Sequence, residues 1–446
     1  MRPIRGHRSQ REEEFDVKTA KTISSVNLRS KNVDDLIKIA GDYDVPNVNR
    51  LLKHNIISAI LRSASSKGEV VYDTGVIEIV ADNFGFLRYS ENNYAPSSDN
   101  VYVSQNQVRR FGLKTGDIVE GYAKEPRRSE KYFSMFKIVK INNHLIGEIG
   151  NTLHFDNFTP IFPKDKLNLD LNIGIKGDVS TRLIDIIAPI GKGQRALIVA
   201  PPRSGKTVVM KNIAHAINAN HPDVKLIALL IDERPEEFTD MIKCVSGEVV
   251  SSTFDEPAER HVALAEIIIA KAKRMVEQGQ DVVVLLDSIT RLARAYNTIA
   301  PSSGKILTGG IDSNALQRPK RFFGAARNIT REGSLTIIAT ALVDTGSKMD
   351  EVIFEEFKGR GNSEIVLDRK LADKRLFPAI DVLRSGTRNE EEMVSGEILP
   401  KMWALRKILS GMNEQVKTGN AESIDFLLRE IKKTTNNTEF FNRMNG

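Results

Sequence analysis

A single cysteine, Cys244, stands in 446 residues, so neither an internal disulfide nor a multi-cysteine metal site can form, a pattern that fits a reducing cytosol. The seven histidines show no metal-ligand spacing. Met1 to Phe15 is polar and charged rather than a secretory signal, and no apolar run approaches the ~20 residues needed to span a bilayer. The expectation is a soluble, cytoplasmic protein that does not enter a membrane. Excess charge is also scarce: 64 Lys and Arg against 58 Asp and Glu leave +6, a lean toward nucleic acid too weak to carry a claim alone. With 41% hydrophobic residues the chain can bury large cores in two or three domains.

What is present centres on Ala200-Pro-Pro-Arg-Ser-Gly-Lys-Thr-Val208, which comes directly after the apolar run Ala196 to Val199. A buried strand entering a glycine turn and then a helix leaves backbone N–H groups aimed at one spot, a cradle for phosphate. Arg203, Ser204, Gly205 and Val208 belong to the loop, Lys206 adds a full positive charge, and Thr207 places a hydroxyl where Mg²⁺ on the phosphates needs an oxygen. The usual pattern has Gly at the position of Ala200, and Pro201 and Pro202 stiffen the loop ahead of Gly205. The reading is an ATP site with Mg²⁺ held by Thr207 and, partly through water, Asp287. Asp287 ends the continuous apolar strand Asp281 to Leu286, and Glu233 comes just after the strand Leu226 to Ile231, so two carboxylates reach the same sheet edge. Glu233 is the candidate to orient or deprotonate the attacking water. The plainer alternatives are that Asp287 caps a helix from Ser288 and that Glu233 is a solvated loop residue.

In chain order, residues 1–30 read as a flexible arm, 31–67 as a helical bundle with Val33, Leu36, Ile37, Ala40, Leu51, Leu52, Ile56 and Ile60 at helical spacing, and 68–140 as a β-barrel. The barrel has five candidate strands, the number in an oligonucleotide-binding (OB) fold: Val76–Val80, Gly85–Tyr89, Val101–Val103, Ile118–Tyr122 and Tyr132–Val139. Within it, period two puts Phe84, Phe86 and Arg88 on one face, with Gly85 between them leaving room for a flat base. Tyr102 and Tyr132 can extend this platform, a mixture of stacking and charge suited to single strands; the alternative makes the phenylalanines barrel core. Residues 141–165 read as a linker. Residues 166–446 alternate strands and helices as in a parallel α/β sheet, with C-terminal helices at the end. Two glycine-rich loops carry Lys305 and Lys348, placed to grip a phosphate backbone or simply solvated. Arg375, Arg384 and Arg388 cluster with Phe377, and arginines beyond Lys206 suggest charge supplied to a neighbouring subunit's phosphates.

Five runs together resemble the bacterial transcription termination factor Rho family from about Val26 to the C-terminus: Asn83-Phe-Gly-Phe-Leu-Arg88, Ala200-Pro-Pro-Arg-Ser-Gly-Lys-Thr207, Asp232-Glu-Arg-Pro-Glu-Glu237, Asp287-Ser-Ile-Thr-Arg-Leu-Ala-Arg-Ala-Tyr296 and Arg321-Phe-Phe-Gly-Ala-Ala-Arg327. The resemblance implies a homohexameric ring with a RecA-like ATPase motor and a cold-shock-like OB barrel. It implies a helicase that loads on nascent cytosine-rich single-stranded RNA, hydrolyses ATP between subunits, translocates 5′ to 3′ and releases transcripts from RNA polymerase. Carried onto this sequence, Asn83, Phe84, Gly85, Phe86, Leu87, Arg88, Asn100, Val101, Tyr102, Glu130, Lys131 and Tyr132 match the primary RNA site, with Glu130 an acceptor for a base edge. Lys305 and Lys348 match the secondary site in the ring's channel. Lys206, Thr207, Glu233, Asp287 and the arginine finger Arg388 match the catalytic set. Gly191, Lys192, Gly193, Gln194, Arg195, Ala196, Arg234 and Phe377 resemble nucleotide-contacting positions, Phe377 by stacking on adenine.

The chain departs from the family at Phe357-Lys-Gly-Arg-Gly-Asn362, where Arg360 replaces a usual Thr; the absent Gly at 200 is the family's own habit. Two other classes remain in view. A rotary or secretion-type ATPase subunit shares the motor loop but has no use for the aromatic platform. A passive RNA-binding regulator shares the platform but does not need Glu233, Asp287 and Arg388 together.

Overall fold

The computed structural model describes residues 21–127, 130–148, 150, 153–172, 179–415 and 421–444, in two compact units. The first contains β1 (Thr22–Ser24), α1 (Ser25–Arg29), α2 (Val33–Asp42), α3 (Lys53–Ser66), β2 (Val70–Ile79), β3 (Gly85–Arg88), β4 (Val101–Val103), α4 (Gln105–Phe111), β5 (Ile118–Lys124), β6 (Phe133–Ile141) and β7 (His144–Leu145). Strands β2, β3, β4, β6 and β5 pair in that order, and β2 pairs again with β5, so five strands close a barrel as the sequence predicts. Closure leaves no unpaired edge among the five. Leu36, Ile56 and Ile60 of the helices share one core with Ile77, Leu87, Val101 and Phe133 of the barrel, so the expected boundary between residues 31–67 and 68–140 divides no separate cores.

The expected flexible arm over 1–30 is corrected for its last part, residues 1–20 lying outside the described ones. Thr22–Ser24 runs parallel to β2, and Arg29 of α1 is buried, with Nη1 donating to Asp73 Oδ1 at 2.7 Å and Nε to Asp99 Oδ2 at 3.1 Å. Its guanidinium lies 3.2 Å from the Tyr89 ring centre. A buried charge persists only with such partners, so this segment is tied down rather than free.

The second unit carries β8 (Pro160–Ile161), α5 (Ser180–Ile187), β9 (Arg195–Ala200), α6 (Lys206–Asn220), β10 (Lys225–Glu233), α7 (Pro235–Cys244), β11 (Glu248–Thr253), α8 (Ala258–Glu277), β12 (Asp281–Asp287) and α9 (Ile289–Ile299). Next come a hairpin of β13 (Ile306–Leu307) with β14 (Ile311–Asp312), then α10 (Gln317–Gly324), β15 (Arg327–Ile329), β16 (Ser334–Leu342), α11 (Lys348–Phe357), β17 (Ser363–Val366) and β18 (Gly386–Thr387). Five strands in the order β11, β10, β12, β16, β9 are parallel, β17 extends them in parallel, and β18 closes the edge antiparallel. Residues 226–231, 282–286 and 335–341 are buried along their length, which is why these runs are continuously apolar. The expected linker is partly built into the sheets: β7 pairs with β6, and β8 pairs with β15.

Candidate active site and nucleic-acid interface

At the carboxyl ends of the parallel strands the loop after β9 turns through left-handed backbone at Arg203 (φ 64°) and Gly205 (φ 91°), and α6 starts at Lys206. Strand β16 separates β9 from β12, and the Lys206 side chain reaches across it. Lys206 Nζ lies 3.0 Å from Glu233 Oε1 and also donates to Asp287 Oδ1, which further accepts the Thr340 hydroxyl of β16 at 2.7 Å. Glu233 and Asp287 are only 3% and 1% exposed, so each needs this cation. Burial first, and then the adjacent Asp287 charge, push the Glu233 carboxyl above its ordinary value, while Lys206 and Arg291 pull the other way. Burial works against the Lys206 charge, but Asp287 and Glu233 together hold its ammonium above the usual lysine value.

Three further residues belong to this constellation and were not assigned from sequence. The Thr207 hydroxyl donates to Glu237 Oε2 at 3.3 Å. Arg291 Nη1 donates to Asp232, at Oδ2 over 2.9 Å and at its carbonyl, and Arg291 Nε is 3.7 Å from Glu233 Oε1. Thr340 is the third. Glu237 and Arg291 lie inside runs already singled out, four residues beyond Glu233 and Asp287; that helical offset after a strand end was the available signal.

The remaining expected nucleotide residues divide. Phe377 is 48% exposed, and a Cβ built on Gly205 would lie 4.0 Å from its ring. Arg203, Val208 and Arg234 are exposed, and Ser204 is buried with its hydroxyl donating to the Pro201 carbonyl. By contrast, Gly191 to Arg195 precede or begin β9 at the amino end of the sheet, opposite the phosphate loop. Lys192 Nζ pairs with Asp281 Oδ2 at 2.6 Å, the Gly193 N–H donates to the Thr336 hydroxyl, and Gln194 is fully buried with Nε2 donating to the Asn362 carbonyl. Ala196 is buried in the same strand. These positions do not join the phosphate loop of their own chain. Arg388 lies just beyond β18, at the sheet edge, and is exposed.

On the barrel, Phe84, Phe86, Tyr102 and Tyr132 form one aromatic group: Phe84–Phe86 centres are 5.7 Å apart, Phe84–Tyr102 5.4 Å, Phe86–Tyr102 6.0 Å and Phe86–Tyr132 5.0 Å. All four residues are at least partly exposed, against the barrel-core alternative. Two expectations are corrected. Gly85 opens no space on the platform, since it faces the core, where a Cβ would come within 2.7 Å of Ile77. Arg88 is not a free cation: its side chain is 8% exposed, with Nε donating to Glu78 Oε2 at 2.7 Å and Nη1 to Asn100 Oδ1, while the guanidinium stays 5.2 Å from the Phe86 ring centre. Leu87 and Val101 are core residues, and Asn100 is buried with an Nδ2 that has no partner among the described residues. Asn83, Glu130 and Lys131 are exposed, the Lys131 ammonium lying 5.2 Å from the Tyr132 ring centre.

Lys305 is exposed and Lys348 at least partly so, on neighbouring segments of the motor, for a Cβ on Gly309 would meet the Lys348 carbonyl oxygen at 2.9 Å.

Three family models match the chain: Rho termination factor, N-terminal domain over residues 27–69; Rho termination factor, RNA-binding domain over 73–146; and the ATP synthase alpha/beta family, nucleotide-binding domain over 180–387. The transcription termination factor Rho 1 of Ehrlichia chaffeensis is 56% identical over 94% of this chain and 99% of its own length. The chain belongs to the Rho transcription termination factor family. Rho of Cereibacter sphaeroides is 55% identical over 95% of this chain and 99% of its own, and Rho of Salmonella typhimurium 52% identical over 94% and 98%. A solved type III secretion system ATPase superposes with a TM-score of 0.51 at 23% identity, covering 69% of this chain and 87% of that one, a likeness of fold. This Rho family member therefore joins an RNA-binding barrel to a RecA-like ATPase domain, and a secretion-type or purely RNA-binding reading is not favoured. Among its described residues no helix is long and apolar enough to cross a membrane.

Proposed function

We propose that this chain is an RNA-dependent ATPase and helicase that binds cytosine-rich nascent RNA, assembles as a homohexamer, moves 5′ to 3′ and releases the transcript from RNA polymerase in the cytoplasm. The observation that carries the reading is the group of four partly exposed aromatic residues in a chain that also has the Lys206, Glu233 and Asp287 site. A motor that moves no nucleic acid has no need of such rings.

In the ATPase step, Lys206 leaves its two carboxylates for phosphate oxygens and Glu233 orients the attacking water and takes its proton. A carboxyl held above its ordinary value is a stronger base, nearer the operating pH. The Thr207 hydroxyl and Asp287 carboxylate are hard oxygen donors, and two buried carboxylates face one ammonium, so these residues suit Mg²⁺. When bound, that ion offsets charge on the phosphates. Phe377 stacks on adenine, Arg234 contacts the nucleotide, and Arg388 acts on the nucleotide of the adjacent copy. On the barrel, bases stack on Phe84, Phe86, Tyr102 and Tyr132 while Glu130 accepts from a base edge. Lys305 and Lys348 hold RNA in the ring's channel.

The test is ATP hydrolysis by the purified protein without nucleic acid, with cytosine-rich RNA and with the matching DNA, at fixed salt because phosphate contacts are salt-dependent. Stimulation by the RNA alone is expected; equal rates in all three would leave an ATPase without the proposed coupling.

A further inference from the structure

The edge of the motor sheet carries a cation that the ATPase site does not use. Strand β18 pairs with β17 through Ser363 opposite Thr387, and the Arg388 N–H donates to the Asn362 carbonyl at 2.8 Å. Arg360 ends the turn after α11, two residues before Asn362, where the Arg388 backbone docks. Both residues are at least partly exposed. Arg360 is held chiefly by backbone: Nε donates to the Glu356 carbonyl at 2.6 Å, while Nη2 sits 3.6 Å from Glu356 Oε2, a carboxylate that Lys320 also claims. Behind it, Arg195 Nε donates to the Arg360 carbonyl at 3.1 Å and Arg195 Nη1 to the Ala326 carbonyl, and Arg195 makes no ion pair among the described residues. Three guanidinium groups, those of Arg195, Arg360 and Arg388, thus lie along this edge, beside the carboxylates of Glu356 and Glu364.

We propose that Arg360 is a second phosphate-binding arginine of this edge, taking the polyphosphate of a nucleotide held by the neighbouring copy beside Arg388. The proposal rests on the reading that Arg388 acts across the subunit boundary. Arg360 also fixes the last turn of α11, whose first residue is Lys348, so it stands at the far end of a ten-residue helix from a lysine assigned to RNA. Release of Nε from the Glu356 carbonyl and of Nη2 from Glu356 Oε2 frees its side chain to reach outward.

The experiment compares full-length Arg360→Thr and Arg360→Lys with the parent in RNA-stimulated hydrolysis and in equilibrium binding of a fluorescent ATP analogue. Arg360→Thr is expected to raise KM and weaken nucleotide binding roughly two- to fivefold, with kcat unchanged, the size of one exposed charge-assisted contact. Arg360→Lys is expected to recover part of the loss. Mixed rings then locate the effect: Arg360→Thr is placed only on copies that also carry Lys206→Ala, whose own sites are dead. The surviving sites show the raised KM if Arg360 acts on its neighbour, and a KM equal to that of rings with Lys206→Ala alone overturns the proposal. Arg388→Ala in the same mixed rings separates the premise: if it too leaves the surviving sites unharmed, the boundary reading itself fails. An unchanged KM in uniform Arg360→Thr rings refutes the proposal while leaving Arg388 untouched.

Discussion

Lys206 Nζ sits 3.0 Å from Glu233 Oε1 and simultaneously bonds Asp287, so one ammonium bridges the ends of two different strands. Phosphate must therefore compete with both carboxylates for the lysine. Removing Lys206 takes away the charge that binds phosphate and leaves two buried carboxylates facing each other. Lys206→Ala is expected to abolish hydrolysis while cytosine-rich RNA still binds the barrel. Filter binding beside an ATPase assay checks both halves, and equal loss of RNA binding would contradict separate sites.

The Glu233 carboxyl is raised by burial and by Asp287, and lowered by Lys206 and Arg291. A base with a raised value loses activity as pH falls through that value, so the acid limb of the ATPase profile should lie above the range of an ordinary glutamate. Taking away the Arg291 guanidinium, 3.7 Å from Glu233 Oε1, removes one lowering influence. Arg291→Ala should therefore move the acid limb to still higher pH, whereas Arg291→Lys keeps a charge and should move it less. A limb that stays put in both variants would remove Glu233 from the role of base.

Phe86 meets three other rings on the platform: Phe84, Tyr102 and Tyr132, with centres 5.0 to 6.0 Å away. Phe86→Ala should weaken RNA binding by about 1–3 kcal/mol, the size of one lost base stack, without lowering the basal ATPase rate. Fluorescence anisotropy with a short cytosine-rich RNA reads this directly. A change near zero would make the ring a prop for its neighbours.

The motor was legible because its strands are buried on both faces and end in acids, so Leu226–Ile231 before Asp232-Glu233 and Val282–Leu286 before Asp287 announce both the sheet and its active edge. The aromatic platform was legible for a similar reason, since period two alone places Phe84 and Phe86 together. Periodicity says nothing, however, about what faces a residue from another strand. Arg88 shares the Phe86 face, yet Glu78 of β2 and Asn100 ahead of β4 occupy its guanidinium. For the nucleotide segment, chain order would have sufficed: Gly191 to Gln194 come before β9 and Arg195 begins it, and a strand that enters the phosphate loop at its carboxyl end has these residues at the opposite end. Family likeness supplied the residue types there, not the end of the strand.

Arg29 was the least legible residue, because its partners lie 44 and 70 positions along the chain. Asp73 is fully buried and Asp99 is 4% exposed, and Tyr89 donates its hydroxyl to Asp73 Oδ2 at 2.7 Å, so two carboxylates share one guanidinium inside a low-dielectric core. Burial opposes its charge, but Asp73 and Tyr89 hold Arg29 well above the ordinary arginine value. Arg29→Ala should cost about 3–5 kcal/mol, since it strands two buried charges rather than merely deleting a contact. Because β1 pairs in register with β2 and α1 hangs from the same network, the loss should be local first: peptide-resolved hydrogen exchange should accelerate over residues 22–29 and 70–76 while the motor sheet keeps its protection. Arg29→Lys retains the charge but not the two-sided reach to Asp73 and Asp99, and should fall between the parent and Arg29→Ala. Unchanged exchange over residues 22–29 in Arg29→Ala would mean that the β1–β2 pairing holds the segment without the Arg29 network.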